Sequence, residues 1–145
     1  MMHSNKELGN RNEELEMKTE NLIQAKSYAF ALRIVKLYRF LCDEKKEFVL
    51  SKQIVRSGTS IGANVEEAIG GQSRKDFLSK MNIAYKEARE THYWLRLLRD
   101  SVILSADQAD SIINQCEELL KISGSIVKTT RSTPNSQFLI LNSQL

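Results

Sequence analysis

A single proline, Pro134, occurs in the whole chain, so 133 consecutive residues contain nothing that locks φ or removes a backbone donor. Six glycines are scattered through that stretch. A β-fold of this length needs turn residues about every 8–12 positions, and they are missing. Long helices are what remains. At 145 residues the chain fits one domain. Its 41% hydrophobic and 27% charged residues supply a core and exclude wholesale disorder.

Hydrophobic spacing places four helices between two tails. Residues 1–18 read as a flexible polar leader, residues 19–131 as the folded part and residues 132–145 as a C-terminal tail. The first helix runs from about Asn21 to Asp43 and is apolar around most of its circumference, from Leu22 and Ile23 to Phe40 and Leu41. That is more than one core-facing stripe requires, so it has two things to bury against, a bundle and another subunit. The second helix spans about Glu47–Ile69, with Leu50, Ile54, Gly58, Ile61, Val65 and Ala68 inward. Gly58 and Gly62 in its middle each cost about 1 kcal/mol of helix propensity, which points to close approach of a neighbouring helix. Gly70-Gly71 closes it.

Ser73 and Asp76 open the third helix as a variant capping box. Its core seam is Phe77, Met81, Ala84, Ala88, Thr91, Leu95, Leu98 and Val102. Ser105 and Gln108 form a capping box for the fourth helix, which Pro134 stops; Lys128 and Arg131 near its end suit the helix dipole. Four rods with short connections predict an all-α, antiparallel up-down-up-down four-helix bundle.

Chemistry has little foothold. Cys42 and Cys116 lack any CxxC partner, and with only His3 and His92 no zinc set forms; both cysteines read as small buried hydrophobes in a reducing compartment. There is no Gly-rich phosphate loop, no nucleophile with a base and no carboxylate cluster at metal spacing. The expectation is no catalytic residue, no metal, no cofactor and no small-molecule substrate. The polar start, with Glu13, Glu14 and Glu16, is unlike a signal or transit peptide, and no apolar run approaches the ~20 residues that cross a bilayer. A cytoplasmic protein without a membrane partner is expected.

Charge is more informative. The net charge is +3, yet residues 21–46 hold six basic and two acidic side chains, and residues 73–100 hold seven and four. On the third helix Lys75, Ser79, Asn82, Lys86, Arg89, Tyr93 and Arg96 recur at alternating spacings of four and three, lining one edge with no acid before Asp100. Cations with Tyr93 interleaved suit a phosphate backbone, which asks for charge and donors and no base-reading geometry. The opposing reading is a solvated face paired across helices to Glu87, Glu90 or a neighbouring subunit. Asn64 and Glu67, three apart on the second helix, read either as a polar site or as a network fixing helix register. Trp94 falls off the core seam and suits an oligomer interface; His92 suits a hydrogen-bonded structural role.

The run Ser60-Ile61-Gly62-Ala63-Asn64-Val65-Glu66-Glu67-Ala68 resembles the S-I-x-x-N-[IV]-x-E-[GA] signature of a bacterial four-helix-bundle family. This is the family of proteins encoded by intervening sequences in 23S rRNA genes, together with the accessory variability determinant of diversity-generating retroelements. The likeness extends through Gln53-Ile54-Val55-Arg56 upstream and Ser73–Leu78 downstream, with Glu90 at the family's helix-3 glutamate, so that Glu90 joins Asn64 and Glu67 in the expected polar network. Ala68 and Lys86-Glu87 depart from the common pattern. The resemblance implies a ring-shaped homo-oligomer, pentameric in relatives, without catalytic activity and associated with RNA or a reverse transcriptase. The function expected is a non-enzymatic bundle binding RNA or a ribonucleoprotein through Lys75, Lys86, Arg89, Tyr93 and Arg96. The alternative is an oligomeric protein adaptor that binds no nucleic acid.

Overall fold

The computed structural model describes residues 2–133, with side chains from Ser4 onward. It contains α1 (Met2–Asp43), α2 (Leu50–Ile69), α3 (Arg74–Asp100) and α4 (Ala106–Ser132), with no strand among the described residues. The connections are only a few residues long, which forces consecutive helices to run antiparallel. Helix α2 packs between α1 and α3, and α4 closes the bundle between α3 and α1. The core is one continuous cluster that includes Phe30, Ile34, Ile54, Ile61, Met81, Leu95 and Leu119. No described helix is long and apolar enough to cross a membrane.

Two parts of the fold differ from the sequence expectation. Residues 2–18 are not a separate leader; they continue α1 without a break. The segment is rich in Glu, Lys, Leu and Met, all good helix formers, and has no proline to end it. With 42 residues α1 is about 63 Å long, against about 40 Å for the 27 residues of α3 or α4. It therefore overhangs the bundle. The expected C-terminal tail from Pro134 onward lies outside the described residues, and α4 ends at Ser132.

The second difference is Val102, placed by spacing in the core but 79% exposed. Helix α3 stops at Asp100, and Val102 takes the left-handed conformation with φ of 61°. Its amide donates to the Arg99 carbonyl while Ile103 and Leu104 both donate to the Leu98 carbonyl. This turn swings Leu104 into the core, so the heptad rhythm is cut one residue pair before Val102. The other seven seam positions of α3 are all buried.

The glycines of α2 do face a neighbour. A Cβ on Gly58 would lie 2.8 Å from Cγ1 and Cγ2 of Ile34, and one on Gly62 would lie 3.4 Å from the Ser27 carbonyl oxygen. Both glycines let α2 close on α1. Gly70 caps the end of α2 in the right-handed region, φ −77°, so no left-handed glycine is used there. At the other end α2 begins at Leu50, and Glu47 folds back over it. Its carboxylate accepts from the amides of Val49, Leu50 and Ser51 at 2.7–3.0 Å. Burial raises the Glu47 carboxyl, but the amides of Leu50, Ser51 and Val49 together outweigh it and hold the group below its ordinary value. The capping bonds expected for α3 and α4 are present: Asp76 N–H donates to Ser73 Oγ, and Ser105 and Gln108 bond reciprocally.

Candidate nucleic-acid interface

The α3 side chains sort into three faces. The apolar seam turns inward. Toward α2 lie Lys80, Glu87, Glu90 and Trp94; toward α4 lie Tyr85 and His92. Between those flanks, facing away from the core, Lys75, Lys86, Arg89, Tyr93 and Arg96 are all exposed on one surface of the helix. Sequence spacing placed these five together, and the structure keeps them so.

Glu87 and Glu90 of α3 are engaged elsewhere. Arg56 on α2 pairs with Glu90 and lies 3.5 Å from Glu87, and Trp94 Nε1 donates to Glu90 at 3.2 Å. The Glu87 carboxyl is raised, by its burial first and by Glu90, against the opposing pull of Arg56. Cross-helix pairing of the basic edge to Glu87 or Glu90 is therefore not what the fold builds. Among the described residues Lys75, Lys86, Arg89 and Arg96 form no ion pair with a carboxylate, whereas Lys26, Arg56, Lys80 and Arg99 each do. Arg89 lies over the Tyr85 ring, 5.9 Å from its centroid. Tyr93, 48% exposed, meets Trp94 edge to face at 5.1 Å.

The expected polar network is not one network. Asn64 donates to the Ser60 carbonyl of its own helix, Glu67 pairs with Lys80 at 2.7 Å, and Glu90 pairs with Arg56. These are separate contacts on the α2–α3 side; a three-residue offset sets a shared face but not a shared partner. Sequence reasoning also missed a buried polar contact between α2 and α3. Ser57 Oγ and Thr91 Oγ1 lie 2.9 Å apart; Thr91 donates to the Glu87 carbonyl, so Ser57 donates to Thr91. The alternation of Ser and Gly in α2 was its only trace. His92 hydrogen-bonds Glu117 across to α4. Cys116 is buried with its thiol pushed up to about 12 by burial and then Glu117, while Cys42 is half-buried; both are free. No group of His, Cys, Asp or Glu among the described residues is placed to hold a metal ion.

The model of the family described as 23S rRNA-intervening sequence protein matches residues 19–125. The chain belongs to this family. A solved structure, described as a protein of unknown function from the S23 ribosomal protein family of Bacteroides thetaiotaomicron, is similar at 55% identity with a TM-score of 0.74. The match covers 76% of this chain and 98% of that one. Curated proteins returned no match. Within the span shared with the 23S rRNA-intervening sequence proteins, the Ser60–Ala68 run has a physical reading. Ile61, Val65 and Ala68 are buried and Gly62 admits the Ser27 backbone, so the run encodes the face that α2 presents to its neighbours. The overhanging start of α1 and the last turns of α4 lie outside the matched residues.

Proposed function

We propose that the protein is a non-enzymatic, homo-oligomeric bundle that binds RNA through the exposed basic face of α3. One observation carries the reading. Among the described residues Lys75, Lys86, Arg89 and Arg96 stand on one surface without carboxylate ion pairs, while Glu87 and Glu90 of the same helix are turned onto Arg56. Such a surface neutralises phosphates and reads no bases. Membership of a family named for 23S rRNA agrees with an RNA partner.

The oligomer rests on α1. Leu22, Ala25, Ala29 and Leu32 follow one another at spacings of three, four and three and are all exposed. Leu22 is 45% and Leu32 52% exposed, a heptad-like strip with no partner helix among the described residues. A second copy of the chain supplies that partner, and a closed ring, five-membered by resemblance, repeats the basic face around its rim. Ring repetition raises apparent affinity when one strand reaches several copies. Light scattering at micromolar concentration together with filter binding tests both parts. An oligomer mass and RNA retention that is lost in Lys86→Glu/Arg89→Glu are expected. A monomer mass refutes the assembly, and unchanged retention refutes the site.

A further inference from the structure

The basic face of α3 has two flanks of opposite character. Toward α2 it is bounded by Glu87 and Glu90 with Arg56 between them. Toward α4 there is a groove of about 480 Å³ lined by Asn82, Tyr85, Gly124, Lys128 and Arg131, among others, and no acid among the described residues lines it. Asn82 belongs to the α3 edge already described, so the groove opens directly from that edge.

Three features shape the groove for a ligand. First, α4 carries no Asp or Glu after Glu118, while Lys121, Lys128 and Arg131 follow. Lys128 and Arg131, one turn apart and exposed, form no ion pair among the described residues, and Arg89 of α3 lies over the Tyr85 ring that lines the groove. Second, the negative end of the α4 dipole, which disfavours an anion, is occupied. Arg74 donates to the carbonyls of Thr130 at 2.6 Å and Arg131 at 3.1 Å. Third, Gly124 has no side chain where the Tyr85 ring lies; a Cβ there would come within 3.2 Å of the ring. The glycine seats a half-buried aromatic ring as an apolar wall between Arg89 and the Lys128–Arg131 pair.

We propose that this groove is a single-strand site, in which one nucleotide of RNA lies against Tyr85 while its flanking phosphates are held by Lys128 and Arg131 on one bank and Arg89 on the other. The inference rests on the RNA-binding reading above and adds a direction and a substrate form. The strand leaves the α3 face toward α4, never toward α2. A groove of this size admits a nucleotide and excludes a duplex, and an aromatic wall rewards unpaired bases whatever their identity.

Fluorescence anisotropy with a labelled single-stranded RNA, and with a duplex of the same sequence, tests this on the full chain. Lys128→Gln/Arg131→Gln is expected to weaken single-strand binding about tenfold and to reduce the salt slope by about 1.4, for two phosphates at about 0.7 each. Tyr85→Leu, which keeps an apolar side chain beside Gly124, is expected to weaken single-strand binding about fivefold and leave duplex binding unchanged. Helical melts of both variants should match the native protein. If the double variant binds as tightly as native while Lys86→Gln/Arg89→Gln/Arg96→Gln does not, RNA stays on α3 and the groove assignment falls alone. Equal loss of duplex and single-strand binding in Tyr85→Leu also overturns it. Absence of binding by the native protein removes the general reading and this site with it.

Discussion

Gly58 of α2 lies directly beneath Ile34 of α1, so closely that a single added Cβ would stand 2.8 Å from two of the isoleucine's carbons. Ile34 is completely buried in the core. The gain in helix propensity that alanine brings over glycine, about 1 kcal/mol, is therefore opposed by overlap.

Gly58→Leu should overpack this contact and destabilise the protein by about 1–3 kcal/mol or more, read as a lower midpoint in a thermal melt. Combining it with Ile34→Ala should recover part of the loss, because the two side chains then share one volume. A Gly58→Leu protein that melts at or above the native temperature would show that the contact is not tight.

The turn after α3 stores strain at Val102, a β-branched residue at φ 61° with its side chain in water. Left-handed backbone costs an L-residue about 1–2 kcal/mol, and glycine avoids most of it at some cost in unfolded-state entropy. Val102→Gly should stabilise the fold by up to about 1 kcal/mol, seen as a melting point raised by a few degrees. Lowered stability would mean that the valine side chain has a packing role.

Glu47 holds the three exposed amides that start α2, and no side chain of the N-cap residue Val49 does so. Glu47→Ala should cost about 1 kcal/mol, the usual worth of a helix cap. The carboxyl is held below its ordinary value, so its contribution is complete above the unfolded carboxylate range near about 4.3 and fades as pH falls through the lower folded value. Native and Glu47→Ala melts should therefore differ at pH 7 and converge in acid. A difference that grows as pH falls would contradict the assignment.

The bundle was readable because its signals are periodic. Seven of eight α3 seam positions are buried, since a 3.6-residue rhythm over 27 residues leaves one inward face. Where rhythm stops, reading stops. Val102 fits the spacing but sits beyond the point where backbone hydrogen bonds to Leu98 and Arg99 reverse the chain. Residues 2–18 lack a buried stripe and read as a leader, yet intrinsic propensity carries α1 through them. The basic edge was legible as a row of cations; its lack of carboxylate partners was not. That depends on Arg56, distant in sequence, drawing Glu87 and Glu90 to the other side of α3. The groove at Tyr85 was equally hidden, because Gly124 and the α4 cations meet it only through packing.

The central claim is that the exposed α3 cations bind RNA as phosphate neutralisers. A titration of labelled single-stranded RNA between about 50 and 200 mM salt tests it most directly. The account predicts affinity that falls linearly on a double logarithmic plot, by about 0.7 for each phosphate held, with weak dependence on sequence. Lys86→Gln/Arg89→Gln/Arg96→Gln should flatten that slope by about 2 while the helical melt stays nearly native. An RNA affinity that is absent at near-physiological salt, or a triple variant that binds with native affinity and slope, would contradict it.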